Sequence, residues 1–138
     1  MTRQEANQIW TELLDYYAPG KQNEGLNAQG LGGVSLRGRE LYAEFIQATG
    51  GLDLRAFVCP WPGKYEPAEF ERLRALAASG GETGGGQLEY LPESHGLFLK
   101  LHYDDPPELG AFLGSLDLLV QAADHWDTDL VDLVFLAS

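Results

Sequence analysis

Cysteine is almost missing from this 138-residue chain. Cys59 stands alone, so no internal disulfide can form and no cysteine-cluster zinc or iron–sulfur site is available, a usage compatible with the cytoplasm. Positive charge is scarce as well: 9 Lys and Arg face 21 Asp and Glu, a net charge of −12 with histidines neutral. Such a surface repels phosphate backbones and anionic lipid, which argues against direct nucleic-acid binding and against docking on a membrane. It favours basic partners. No apolar run approaches the roughly 20 residues of a membrane helix. Met1–Trp10 lacks a basic n-region followed by an apolar h-region, so no secretory signal is expected. What is present is ordinary for a folded protein: 44 % hydrophobic and 22 % charged residues. The length suits a single domain over residues 1–138 with one core.

Hydrophobic periodicity sets out the elements. Thr2 and Glu5 form a capping box, and Ala6, Ile9, Trp10, Leu13, Leu14 and Tyr17 then keep a helical rhythm until Ala18-Pro19-Gly20 stops it. A polar, glycine-rich loop leads to a short strand near Leu31–Leu36, and Gly38 marks a turn. Glu40–Ala48 reads as a strand with Leu41, Ala43 and Phe45 on one side and Glu40, Tyr42 and Glu44 on the other. Thr49-Gly50-Gly51 makes a hairpin turn. The return strand Leu52–Cys59 alternates Leu52, Leu54, Ala56 and Val58 against Asp53, Arg55 and Phe57. Pro60-Trp61-Pro62-Gly63 ends the meander.

A second helix opens at Pro67, with Phe70, Leu73, Leu76 and Ala77 as its apolar stripe, and stops at Gly80-Gly81. The glycines between Ser79 and Gly86 imply a mobile connection. Strands at Gln87–Leu91 and Leu97–Tyr103 flank the turn Pro92–Gly96. Asp104-Asp105-Pro106-Pro107 looks like a helix start, with carboxylates placed to meet the helix dipole. Leu109, Phe112, Leu113, Leu116, Leu119, Val120 and Ala123 then share one face, a pattern that can continue through Trp126, Leu130 and Val134. A helix from Pro107 to Leu136 would run about 45 Å, longer than a small domain is wide, so a break or kink is expected at Asp127. The order α-β-β-β-α-β-β-α, with antiparallel hairpins between segregated helices, indicates an α+β fold with a twisted antiparallel five-stranded sheet flanked by helices.

That order, carried by Glu5–Tyr17, Glu40–Ala48, Leu52–Val58, Pro67–Ala78, Gln87–Leu91, Leu97–Tyr103 and Leu109–Ala123 in a small acidic chain, resembles the type III secretion chaperones and the related YbjN-like proteins. The resemblance rests on element order, size and acidity and covers nearly the whole chain. It implies a bacterial homodimer that binds other proteins and has no catalytic role. In the resembled fold the middle helix commonly makes the dimer contact, which implies Phe70, Leu73 and Leu76 as interface residues here.

Signals for chemistry are thin. His102 with Asp104 and Asp105 has the residue types of a carboxylate-steered general base, but His102 alternates outward from the Leu97/Leu99/Leu101 face, and strand-end and capping roles account for all three. His125 among Asp124, Asp127 and Asp129 has metal-ligand residue types, yet neighbours on a helix diverge, and a solvated acidic helix end is the better reading. Gly30-Leu31-Gly32-Gly33 lacks a Walker lysine and Gly84-Gly85-Gly86 precedes a strand instead of following one, so both are read as flexible loops without a nucleotide. Cys59 is a buried structural thiol. No cofactor or metal is expected. Phe57, Trp61, Tyr65 and Phe70 cluster around the end of the meander, either as a core patch or as a partner surface; Phe57, Trp61 and Tyr65 are the partner-binding candidates. The carboxylates Glu12, Asp15, Glu40, Glu44, Asp53, Glu66, Glu69 and Glu71 are scattered, as solubility requires, and would also match a basic protein or tail, itself plausibly a nucleic-acid-binding protein. The expected function is a homodimeric chaperone-like module holding a basic partner protein. An immunity or inhibitor protein covering a basic enzyme is the alternative, and a small hydrolase using His102 with Asp104 and Asp105 comes third.

Overall fold

Helix α1 (Arg3–Tyr17) starts as the capping box dictates: the Thr2 hydroxyl accepts from the Glu5 amide and the Glu5 carboxylate accepts from the Thr2 amide. The computed structural model describes residues 1–19, 25–80 and 83–130. Five strands follow the predicted alternation: β1 (Leu31–Leu36), β2 (Arg39–Ile46), β3 (Gly51–Pro60), β4 (Gln87–Leu91) and β5 (Gly96–Tyr103). Helix α2 (Pro67–Gly80) lies between β3 and β4, and α3 (Leu109–Leu130) comes last. The sheet is antiparallel throughout, in the order β1-β2-β3-β5-β4. The α+β class and the order α-β-β-β-α-β-β-α are as the sequence predicts.

Strand alternation sends one set of side chains to each face. Leu41, Ala43, Phe45, Leu52, Leu54, Ala56, Val58, Leu88, Leu97 and Leu99 face inward. They join Ile9, Trp10 and Leu13 of α1, Leu73 and Ala77 of α2, and Phe112, Leu116, Leu119 and Ala123 of α3 in one core. All three helices thus give their buried residues to the same side of the sheet. The opposite face, hereafter the outer face, carries Tyr42, Glu44, Asp53, Arg55, Phe57, Phe98, Lys100 and His102.

Three expectations change. Gly32 and Gly84, expected in flexible loops, each lie in a close approach. Gly32 belongs to β1, and a Cβ there would lie 2.5 Å from Trp10 Nε1, so the missing side chain is what lets α1 close on the sheet edge. Gly84 (φ +62°) passes under α3, where a Cβ would meet the Leu118 carbonyl oxygen at 2.6 Å. The residues 81–82 of that run lie outside the described residues. Second, α3 begins at Leu109, so Asp104 and Asp105 lie upstream of its first turn and do not cap it. Third, α3 does not break at Asp127 but continues to Leu130. Trp126 is buried there, and Arg39 holds the last turns. Its guanidinium bonds Asp124 at 2.5 and 3.0 Å and Asp127 at 3.3 Å, and donates to the carbonyls of Phe57 and Val58 at 3.1 and 2.6 Å, where β3 carries a bulge. One cation therefore joins the start of β2, the bulge and α3. Val134 and Leu136 lie outside the described residues.

Gly32→Ala is expected to lower stability by about 1–3 kcal/mol, the usual cost of forcing a methyl group into a filled site. Urea unfolding checks it, and a neutral result would show that Trp10 moves aside freely.

Candidate functional site

The outer face is built from the sheet register. Arg55 of β3 is opposite Tyr42 on β2 and Lys100 on β5, and Asp53 is opposite Glu44 and His102. Strands about 5 Å apart place these side chains within reach of one another. Arg55, with a side chain only 14 % exposed, meets three carboxylates: Glu89 on β4 at 2.6 Å, Glu44 on β2 at 2.9 Å and Asp53 at 3.4 Å. Lys100 adds a second cation to Glu89 at 3.3 Å. At the end of the row His102 lies between two carboxylates, with Nδ1 2.6 Å from Asp53 and Nε2 2.8 Å from Asp104. Four carboxylates (Glu44, Asp53, Glu89 and Asp104) thus stand against two permanent cations (Arg55 and Lys100), a balance of −2 before any proton on His102. Burial opposes the charge on Arg55, but the bonds to Glu89 and Glu44 outweigh it and raise its pKa.

Beside this charged row lies an aromatic patch. Phe57 and Phe98 pair across β3 and β5 with rings 5.3 Å apart, and Tyr42 reaches Phe98 at 6.2 Å, both edge-on. Phe98 is buried yet stands apart from the main core, while Tyr42 is exposed, its hydroxyl donating to Glu40. Among the described residues no helix packs on this face.

The four aromatics expected to cluster divide in two. Trp61, Tyr65 and Phe70 do meet, joined by Tyr90 of β4, which stacks on Tyr65 at 3.7 Å and 6°. Phe57 is with Phe98 instead. Trp61 is 2 % exposed, and its indole N–H donates to the Lys64 carbonyl, so it is core and offers no surface of its own. Tyr65 and Phe70 are half-buried at the rim of that cluster. His95, from the β4–β5 turn, fixes the connection by contacts to the Tyr90 hydroxyl at 2.7 Å and the Gly63 carbonyl at 2.8 Å.

On α2 the expected stripe also divides. Leu73 is 1 % exposed and lies in the core, whereas Leu76 is 46 % exposed and faces away from it. Between α2 and β4 runs a groove of about 490 Å³ lined by Arg74, Ala77, Ala78, Gln87 and Leu88 among others.

The remaining sequence candidates find structural roles. Asp104 bonds His102 at the end of the outer face. Asp53 is not a scattered surface acid: it is the buried charged residue among the described ones. Asp124 and Asp127 both pair with Arg39, and the Asp129 side chain lies outside the described residues. Cys59 is buried, and its thiol is pushed up to about 11 by burial first and by the Asp127 charge second, so it is no nucleophile near neutral pH. Sequence reasoning missed Phe98, Glu89 and Lys100 as site residues. Their outward parity beside Leu97 and Leu99 was the available signal; the register that brings them to Phe57 and Arg55 was not.

No protein-family model and no curated protein matches the sequence. Solved structures do match. A chain of the ExsC–ExsE complex superposes with a TM-score of 0.73 at 16 % identity, covering 99 % of this chain and 98 % of its own. A chain of the HopA1–SchA chaperone–effector complex follows at 0.62 and 15 % identity, covering 88 % and 95 %. A chain of the heterodimeric ExoU–SpcU complex from the type III secretion system of Pseudomonas aeruginosa reaches 0.56 at 15 % identity, covering 90 % and 96 %. This chain has the type III secretion chaperone fold. The match with the ExsC–ExsE chain runs nearly end to end in both chains.

Arg55→Met is expected to destabilise the protein by about 2 kcal/mol, because three carboxylates lose their shared donor while partial exposure limits the cost. Urea unfolding measures it. Adding Glu89→Gln is expected to recover part of the loss; full additivity of the two changes would show that Arg55 acts elsewhere.

Proposed function

We propose that this protein is a non-catalytic, single-domain, cytoplasmic chaperone-like module that works as a homodimer and holds a basic partner protein or its flexible tail. The observation that carries the proposal is the end-to-end likeness to a chain of the ExsC–ExsE complex, together with a chain of a chaperone–effector complex among the other neighbours. The chemistry of the surface supports it. The outer face has an excess of carboxylates around Phe57, Phe98 and Tyr42, which suits a segment with Arg or Lys beside apolar residues. Tyr65, half-buried in the separate cluster with Trp61 and Tyr90, offers a second aromatic contact. No helix among the described residues is long and apolar enough to cross a membrane.

The dimer contact belongs along α2. Leu76 is the exposed apolar residue there, Phe70 is half-buried nearer the start of the same helix, and α2 also lines the groove against β4. Leu73 supports the contact from beneath, by packing α2 on the core.

Light scattering on the protein eluting from size-exclusion chromatography is expected to give twice 15.1 kDa at low and at high salt. Leu76→Glu is expected to halve that mass with an unchanged circular-dichroism spectrum. A parent protein that runs as a monomer overturns the homodimer and favours the inhibitor reading, a one-to-one cover for a basic enzyme.

A further inference from the structure

Asp53 is buried in the sheet, with its side chain 9 % exposed, and so needs a donor. Arg55 serves it at 3.4 Å, its longest contact, with a guanidinium shared with Glu44 and Glu89. His102 Nδ1, at 2.6 Å, is the nearer donor. The other ring nitrogen meets Asp104 at 2.8 Å. Both partners are carboxylates, which accept and do not donate when ionised; a neutral imidazole has one N–H and can serve only one of them. With both carboxylates ionised, serving the two together takes an imidazolium.

The His102 side chain is 44 % exposed. It packs against Gly51, where a Cβ would lie 2.4 Å from its Cε1. β4 pairs with β5 only as far as Lys100, so β3 alone holds this end of β5. Asp104 is the first residue after β5, on the connection to α3, and the Met1 amine bonds its carbonyl and that of Gly50. The charged groups around the ring are Asp53 and Arg55 on β3, Glu44 opposite Asp53 on β2, Lys100 on β5, Asp104 and the Met1 amine.

We propose that Asp53, His102 and Asp104 form a proton-operated latch: the imidazolium ties the start of the α3 connection to β3, and loss of its proton releases Asp104 while Asp53 keeps the remaining N–H. Burial decides which carboxylate lets go. Asp104 is 83 % exposed and is resolvated by water at little cost, whereas Asp53 without His102 would be a buried charge left with only the longer Arg55 contact. The hydrogen bond to Asp53 first, and that to Asp104 second, raise the His102 pKa above its usual value. A group whose pKa is raised on folding stabilises fully below its unfolded value, about 6.5 for histidine, and loses that contribution as pH rises through the folded value. The latch is closed on the acidic side of that range and opens on the alkaline side.

Imidazole nitrogen resonances of the intact protein, followed by NMR from about pH 5 to about pH 9, test this directly. His102 is expected to show both nitrogens protonated at the acid end, to titrate above about 6.5, and to carry the backbone amides of Asp104 and Asp105 with it. In Asp104→Asn the midpoint is expected to fall toward the ordinary value while Nδ1 stays protonated. In His102→Gln the two amides are expected to lose that transition. Asp104 is exposed, so its substitution leaves the fold intact even if Asp53→Asn does not. A His102 midpoint at the ordinary value, an unchanged midpoint in Asp104→Asn, or amides that ignore the titration would each overturn the latch.

Discussion

A sheet whose helices all lie on one side must satisfy the polar side chains of its other side from within that side. This constraint shapes the protein. The core face is settled by burial: apolar side chains of five strands meet apolar faces of three helices, and transfer from water is the driving force. On the outer face that force is weak, and side chains two residues apart along a strand or opposite across strands must pair with one another. Arg55 is the hub because a guanidinium has five donors in a fixed fork and can serve Glu44, Glu89 and Asp53 together. A lysine at that position, with a point charge, would leave at least one carboxylate poorly served.

The two arginines of the sheet show how one chemistry is used in two settings. Arg39 works at the end of the core face, where it satisfies carbonyls freed by the β3 bulge and two carboxylates of α3. Arg55 works in the middle of the outer face, against carboxylates only. In a chain with 9 basic residues against 21 acidic ones, placing cations where several acceptors converge spares the acceptors a costly burial, and the surplus of acid is left to the surface. That surplus is what a basic partner would meet, and it weakens with salt because exposed charges are screened within about 10 Å at ordinary ionic strength.

Much of the fold was legible in the sequence for a simple reason: period-2 and period-3.6 patterns are local and report which residues face the core. They placed each element within a few residues and identified both faces of β2 and β3. They failed where a local feature has a distant partner. Gly32 reads as loop composition, but it is a contact with Trp10, 22 positions earlier in the chain. Asp104 reads as a helix cap, but its carboxylate meets His102. Asp127 reads as a helix breaker, but Arg39 holds it from the other end of the sheet. Leu76 reads as part of an apolar stripe, but it is exposed while Phe70, Leu73 and Ala77 pack on the core.

The sequence by itself determined the α+β class, the order of eight elements, the inward faces of β2, β3 and β5 and the acidity that bears on partners, because composition and periodicity need no knowledge of what lies opposite. Tertiary structure alone decided which outward side chains become a site. Sheet register put Phe98 against Phe57, Arg55 between Glu44 and Glu89, and His102 between Asp53 and Asp104. Register is a matter of pairing between distant segments, and a shift of one residue would send every one of these side chains to the other face.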